Sequence, residues 1–275
     1  MSPRAEHREL YLDPRCYDVA FDVRETAREC DFLLWCGERH GAGLTAGRKG
    51  VSAALELAAG PGYHALELAR RGKRSLALDI EPAMVEYLRT KAASRPETSG
   101  LRVLQADMRS FQMEDGATVD LAYNLFGSFC YLLTNDDVRA HFAAVRRALV
   151  SGGVYVVELP HPRRFLRSDV TTQDSWTNER DGVRVNVRWD TGHAIPDPCT
   201  QIMEVRSEFE VEEGGRRRRF RTHGHQRVFF AQELASLAYP HFVIAAWFGA
   251  MDRRVAFDYS RKAWRMVCVM VARTD

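Results

Sequence analysis

The chain has 275 residues, 45% of them apolar and 28% charged, which is the profile of an ordinary globular protein able to bury a core without staples. Its 39 basic and 37 acidic residues leave a net charge of +2, which excludes an overall field for gathering nucleic acid or an anionic membrane. Six scattered cysteines with no C-x-x-C pair argue against a disulfide framework and a structural zinc, and for a reducing cytoplasm. No apolar run approaches the roughly 20 residues of a membrane helix, and "MSPRAEHREL" lacks the apolar stretch of a signal peptide, so a cytoplasmic protein without bound metal is expected.

In chain order, Val23, Ala27, Cys30 and Leu34 recur at helical spacing and predict an amphipathic helix from Phe21 to Cys36, followed by a glycine-rich connector over 37–50. Strand and helix patterns then alternate. Strands are predicted at 52–58, 75–80, 101–106, 118–124 and 153–159, with helices at 62–71, 82–94 and 134–149. The last helix carries Val138, Phe142, Val145 and Leu149 on one stripe behind the capping candidates Thr134 and Asn135, and Pro82 suits a first helical turn. Such alternation implies an α/β fold with a doubly wound, mostly parallel sheet. After Pro160 the period changes to two: Val183, Val185, Val187 and Trp189 alternate with polar residues, as do Met203, Val205, Phe209 and Val211. "EEGGRR" at 212–217 is a hairpin turn returning the chain through 218–230. A short helix at 231–239, an apolar stretch at 242–249 and the strand-like "RMVCVMVA" at 265–272 follow.

The stretch "ALELAAGPGYHALELARRG", 54–72, places Gly60 and Gly62 where a strand turns into a helix N-terminus, the position at which open α/β sheets bind ligands. "GPGYHA" also satisfies the G-x-G-x-x-A dinucleotide fingerprint, and such a turn can be purely structural. Glu56, four residues before Gly60, would repel a pyrophosphate and suit a cationic ligand such as S-adenosylmethionine (SAM). Asp79 ends the next strand, where a carboxylate accepts ribose hydroxyls or caps the helix behind it. Asp107 ends the third, within reach of an adenine amino group, with Met108 lending its backbone.

With these residues the chain resembles class I SAM-dependent methyltransferases over roughly 50–160: "LELAAGPG", "LALDIEPAMV", "LQADMRSF", "VDLAYNLFGSFCYL" and "FAAVRRALVSGGVYVVEL". The resemblance implies SAM as cofactor, with Glu56, Ala58, Gly60 and Gly62 around the methionine moiety and Asp79 and Ile80 at the ribose. It puts Met84 and Met108 around the adenine, Asp107 at its amino group, and Asn124 and Phe126 beneath the sulfonium. Ala58 stands where the family usually has glycine, and Pro240 and His241 replace the usual small residue and glycine before the sixth strand. "YDVAF", "ECDFLLW", "DGVRVNVRW", "DPCTQ" and "RVFFAQELASL" resemble the bacterial small-molecule branch, which includes N-methyltransferases of amino sugars and related amines beside O- and C-methyltransferases of natural products. The organisation implied is a helical lid at 1–48 and a Rossmann-like core at 49–160. An antiparallel insertion at 161–230 covers the substrate, and a helix and strand pair at 231–275 complete a seven-stranded sheet.

Methyl transfer from a sulfonium depends on aligning a neutral nucleophile and excluding water. Tyr17, then Tyr11, are candidates to stand above the sulfonium, with packing aromatics as the plainer reading; His161 after the fifth strand is a candidate base or a surface loop histidine. Trp176, Trp189 and Arg227 could line the lid, the tryptophans serving equally as sheet core. Arg216 to Arg219, beside "EVEEGG", read as a solvated hairpin rather than an RNA contact, and His223 and His225 lack a third metal ligand. The expected function is methylation of a small-molecule acceptor, most simply at an amine nitrogen, with O- or C-methylation, a nicotinamide-dependent oxidoreductase and a non-catalytic SAM-binding protein as rivals. Oligomeric state is open, a homodimer being one option.

Overall fold

A computed structural model describes residues 8–41, 50–166, 174–190 and 195–274. In chain order the elements are α1 (Arg8–Tyr11), α2 (Pro14–Ala20), α3 (Thr26–His40), β1 (Ala53–Leu57), α4 (Tyr63–Arg70), β2 (Arg74–Asp79), α5 (Pro82–Ala93), β3 (Leu101–Gln105), β4 (Val119–Asn124), α6 (Asn135–Ala148) and β5 (Leu149–Pro160). They continue as α7 (Arg163–Leu166), β6 (Asp174–Arg180), β7 (Val183–Trp189), β8 (Ile202–Glu213), β9 (Arg216–Arg227), α8 (Ala231–Ala238), β10 (Phe242–Phe248) and β11 (Arg265–Ala272). Contacts divide the chain into two units, Glu25–Pro162 with Phe229–Asp275, and Met1–Arg24 with Arg163–Val228.

The larger unit is a seven-stranded sheet in the order β3-β2-β1-β4-β5-β11-β10, parallel except for β11, which runs antiparallel to both neighbours. Every residue of β1 and β4 is buried, as helices on both faces of a parallel sheet require. On one face Cys30, Leu33 and Cys36 of α3 and Leu68 of α4 pack against Leu121, Tyr123 and Val154. On the other, Val138, Phe142 and Val145 of α6 and Leu234 of α8 pack against Leu55, Leu57 and Tyr155. Strand order reverses between β1 and β4, so a crevice opens beyond their carboxyl ends.

The smaller unit is an antiparallel sheet in the order β6-β7-β8-β9, on which α2 packs. Phe21 sits edge-on to Trp176 at 5.6 Å and Trp189 at 5.8 Å, and the Trp176 indole N–H donates to the Ala20 carbonyl at 2.6 Å. Both tryptophans, half-buried, therefore pack within this unit. Gly214 and Gly215, at φ +56° and +76°, make the tight turn between β8 and β9. Across that hairpin Glu208 meets Arg221 at 2.8 Å and Glu212 meets Arg217 at 2.9 Å, while Arg219 pairs with Glu210 and Arg218 with Asp13. Arg217, Arg218 and Arg219 are thus paired with acids of their own unit.

Of the helix predicted from Phe21 to Cys36, residues 26–36 are helical as part of α3, which starts five residues later and runs on to His40, while α2 precedes the predicted range. Asp13 caps α2 by accepting the Cys16 N–H at 3.0 Å, Pro14 sets its first turn, and the chain leaves helical geometry between Phe21 and Glu25. Cys16 and Val19 are buried in the smaller unit and Cys30 and Leu33 in the larger core, and the division between the units falls at 24/25. Strand β6, "DSWTNER", was not predicted because this edge strand has no apolar stripe. Most of the connector expected at 37–50 lies outside the described residues. No helix among them is long and apolar enough to cross a membrane.

Candidate active site

The turn after β1 is built from left-handed backbone. Ala58, Gly60 and Gly62 have φ of +55°, +52° and +70°. At Gly62 a β-carbon would lie 2.4 Å from a Leu88 methyl, so this position is closed to side chains by packing as well as by φ. The Ala59 N–H donates to the Leu78 carbonyl at 2.9 Å, and the Gly60 N–H donates to Asp79 Oδ2 at 2.7 Å. Turn and β2 terminus therefore form one surface.

Asp79 also accepts the Glu81 N–H at 2.9 Å, and burial pushes its carboxyl above the ordinary value against these two bonds. Ile80 beside it is half exposed, while Met84, in the first turn of α5, is buried. Asp107 is gripped by Arg109, whose Nη2 donates to Oδ2 at 2.6 Å and whose Nε donates to Oδ1 at 3.0 Å. Burial would raise the Asp107 carboxyl, but the guanidinium more than reverses this and holds it low. Asn124, at the end of β4, donates from Nδ2 to the Leu57 carbonyl at 3.2 Å and lies 3.6 Å from the Met108 sulfur. Its Oδ1 is buried without a hydrogen-bond partner among the described residues. That is an acceptor left over for a ligand. Phe126 follows at φ +62°, held by its N–H to Glu158 Oε2 at 2.9 Å.

Residues 54–153, the stretch holding all these positions, match the family model of a methyltransferase domain. No curated protein matches the chain in sequence. Among solved structures it is similar to a SAM-dependent methyltransferase from Clostridium acetobutylicum at 18% identity and TM-score 0.73, covering 94% of this chain and 97% of that one. A sugar N-methyltransferase from a Streptoalloteichus species matches at 20% identity and TM-score 0.71, over 94% and 93% of the two chains. The SAM-bound amino pentose methyltransferase of calicheamicin biosynthesis from Micromonospora echinaspora matches at 22% and 0.68, over 94% and 96%. At these identities the likeness is one of fold.

Within the matched stretch the residues present fit SAM: a left-handed turn at Ala58, Gly60 and Gly62, carboxylates closing β2 and following β3, and the orphaned Asn124 oxygen. Three supports of this surface escaped sequence reasoning. His141 of α6 takes the Met108 carbonyl on Nδ1 at 2.9 Å and the Tyr155 hydroxyl on Nε2 at 2.6 Å. Burial pushes it down to about 4, so it is a neutral strut under the adenine-side loop. Glu158, fully buried on β5, holds Phe126 and faces Arg265 Nε at 3.2 Å. Arg109 is the third. Only His141 left a signal, a polar residue three places from Val138 on the apolar stripe of α6. The Glu158 pairings link separate elements with no characteristic spacing, whereas Arg109 lies two residues from Asp107 in the same loop.

Of the candidates for chemistry, His161 is not on an open rim: it is buried, its ring lies 4.8 Å from that of Phe257, and Nε2 contacts the Asp258 carbonyl at 3.0 Å. A carbonyl only accepts, so Nε2 carries the proton and Nδ1 is the basic atom of the neutral ring. Tyr17 and Tyr11 belong to the smaller unit, where Tyr17 packs 5.7 Å from Tyr11 and 4.5 Å from Phe21. Glu56 accepts the Ala65 N–H at 2.8 Å, inside the first turn of α4.

Proposed function

We propose that the protein transfers a methyl group from SAM to a small-molecule amine. The observation that carries the cofactor side is the 2.7 Å bond from the Gly60 N–H to Asp79, which joins the glycine cradle and the ribose-type carboxylate into one surface. SAM, when bound, would supply an electrophilic methyl that a neutral amine attacks in line, with S-adenosylhomocysteine as the leaving group. In this reading Glu56, Ala58, Gly60 and Gly62 form the methionine end. Asp79 and Ile80 take the ribose, and Asp107, Met108 and Met84 bound the adenine. Asn124 and Phe126 lie beneath the reacting centre. His161 is the candidate group to take the proton shed by the alkylated amine, and Tyr17, with Tyr11 as second choice, the candidate to orient the acceptor. The amine preference has the support of two structurally similar proteins described as sugar and amino pentose methyltransferases. Six free cysteines, five of them buried, fit a reducing cytoplasm.

Calorimetric titration with S-adenosylhomocysteine is expected to show binding that Asp79→Ala weakens by one to two orders of magnitude; an unchanged affinity would sink the cofactor assignment. Labelled SAM offered with amino sugars and their hydroxyl counterparts should label the amines. Label confined to the hydroxyl series makes the enzyme an O-methyltransferase, and NADH binding without SAM binding returns it to the oxidoreductases.

A further inference from the structure

Beneath the glycine turn, in the second position of α4, lies a buried histidine that the proposed chemistry does not use. His64 Nε2 meets Glu29 Oε2 of α3 at 2.7 Å, and His64 Nδ1 faces Glu56 Oε1 of β1 at 3.4 Å. The other oxygen of Glu56 accepts the Ala65 N–H one residue further on, so imidazole and helix backbone converge on one carboxylate. The side chains of His64, Glu56 and Glu29 are 5%, 7% and 14% exposed, which leaves water little part in the bridge. Burial by itself would depress His64, but its bonds to Glu29 and Glu56 outweigh that and lift it to about 9. The neighbours facing this group are Cys30 of α3, whose thiol contacts the His64 carbonyl at 3.8 Å, and Tyr123 of β4 at 6.2 Å between rings. Glu67 and Arg71 of α4 add charge nearby.

A protonated imidazole between two carboxylates leaves one net negative charge beside the cradle, the sign a ligand ammonium requires. It also ties α3, β1 and the first turn of α4 together at the point where Gly60 and Gly62 must hold left-handed backbone. We propose that His64 is a positioning residue for the methionine end of the SAM site, acting through Glu56 with Glu29 as its anchor on α3. This rests on the cofactor reading above.

The test compares two ligands on the intact protein: S-adenosylhomocysteine, and 5′-methylthioadenosine, which keeps the nucleoside and thioether but lacks the amino-acid end. His64→Gln and, as a gentler change at a partly exposed site, Glu29→Gln should each weaken S-adenosylhomocysteine about tenfold and methylthioadenosine less than twofold. Equal losses for both ligands, or no loss in either variant, overturn the inference while leaving the cofactor reading intact. Wild-type protein that binds neither ligand overturns both.

Discussion

At Ala58 a β-carbon is held at φ +55°, in a region that costs an L-residue about 1–2 kcal/mol. Glycine there would relieve that strain while adding about 0.4–1 kcal/mol of unfolded-state entropy to be overcome. Ala58→Gly is therefore expected to leave the urea midpoint unchanged or to stabilise by up to about 1 kcal/mol, and a clear loss of stability would show that the alanine methyl makes a packing contribution that φ does not reveal. The resemblance to a family with glycine at this place marked the position, and the backbone angle explains why glycine is usual. Phe126, at φ +62°, carries the same kind of strain, and there a buried carboxylate, Glu158, compensates by accepting its N–H.

Among elements, α6 does the most to connect core and site. Thr134 caps it by accepting the Asp137 N–H at 3.0 Å, as Thr134 and its neighbour suggested from sequence, and Asp137 in turn takes Arg109 Nη1 at 2.8 Å. A helix cap is thus continuous with the guanidinium that grips Asp107. Thr134→Ala should lower unfolding free energy by about 1 kcal/mol, the ordinary value for a lost threonine cap. Because the cap and Arg109 share Asp137, the same variant is expected to weaken adenosine-containing ligands slightly, measurable by calorimetry; a full-sized stability loss with unaltered affinity would show the two roles to be separate. The predicted strands at 75–80, 101–106 and 118–124 end within one residue of those observed, because each apolar run gives way to a polar turn.

For the whole molecule, two buried histidines titrate in opposite directions, and the signs fix the shape of the stability profile. His64, ordinarily near 6.5, is lifted to about 9, so between those values the native state holds a proton that the unfolded chain has lost, and stability falls as pH rises. His141 is pushed down to about 4, so between 4 and 6.5 the unfolded chain holds the extra proton, and stability falls as pH drops. Each slope approaches about 1.4 kcal/mol per pH unit at most. Urea unfolding measured from pH 5 to 9 should peak between pH 6 and 7, and His64→Gln should flatten the alkaline limb while leaving the acid limb in place. An alkaline limb that survives the substitution would assign the proton to another group.

Sequence alone determined the class of fold, the strand and helix alternation, the hairpin turn and the positions of Gly60, Gly62, Asp79 and Asp107, because each follows from local periodicity or from what a strand end must present to a ligand. It left open whether the tryptophans lined a lid or a core, and it began α3 five residues early, at Phe21 rather than Thr26. Tertiary structure packs both tryptophans against Phe21 and assigns Phe21 and Cys30 to different units, which helical spacing alone does not separate. It alone brought Glu29 to His64, Arg109 to Asp137, His141 to Met108 and Glu158 to Phe126. Those partners lie 35, 28, 33 and 32 residues apart and on different elements, so their pairing is fixed by how the layers pack and leaves no pattern in the chain itself.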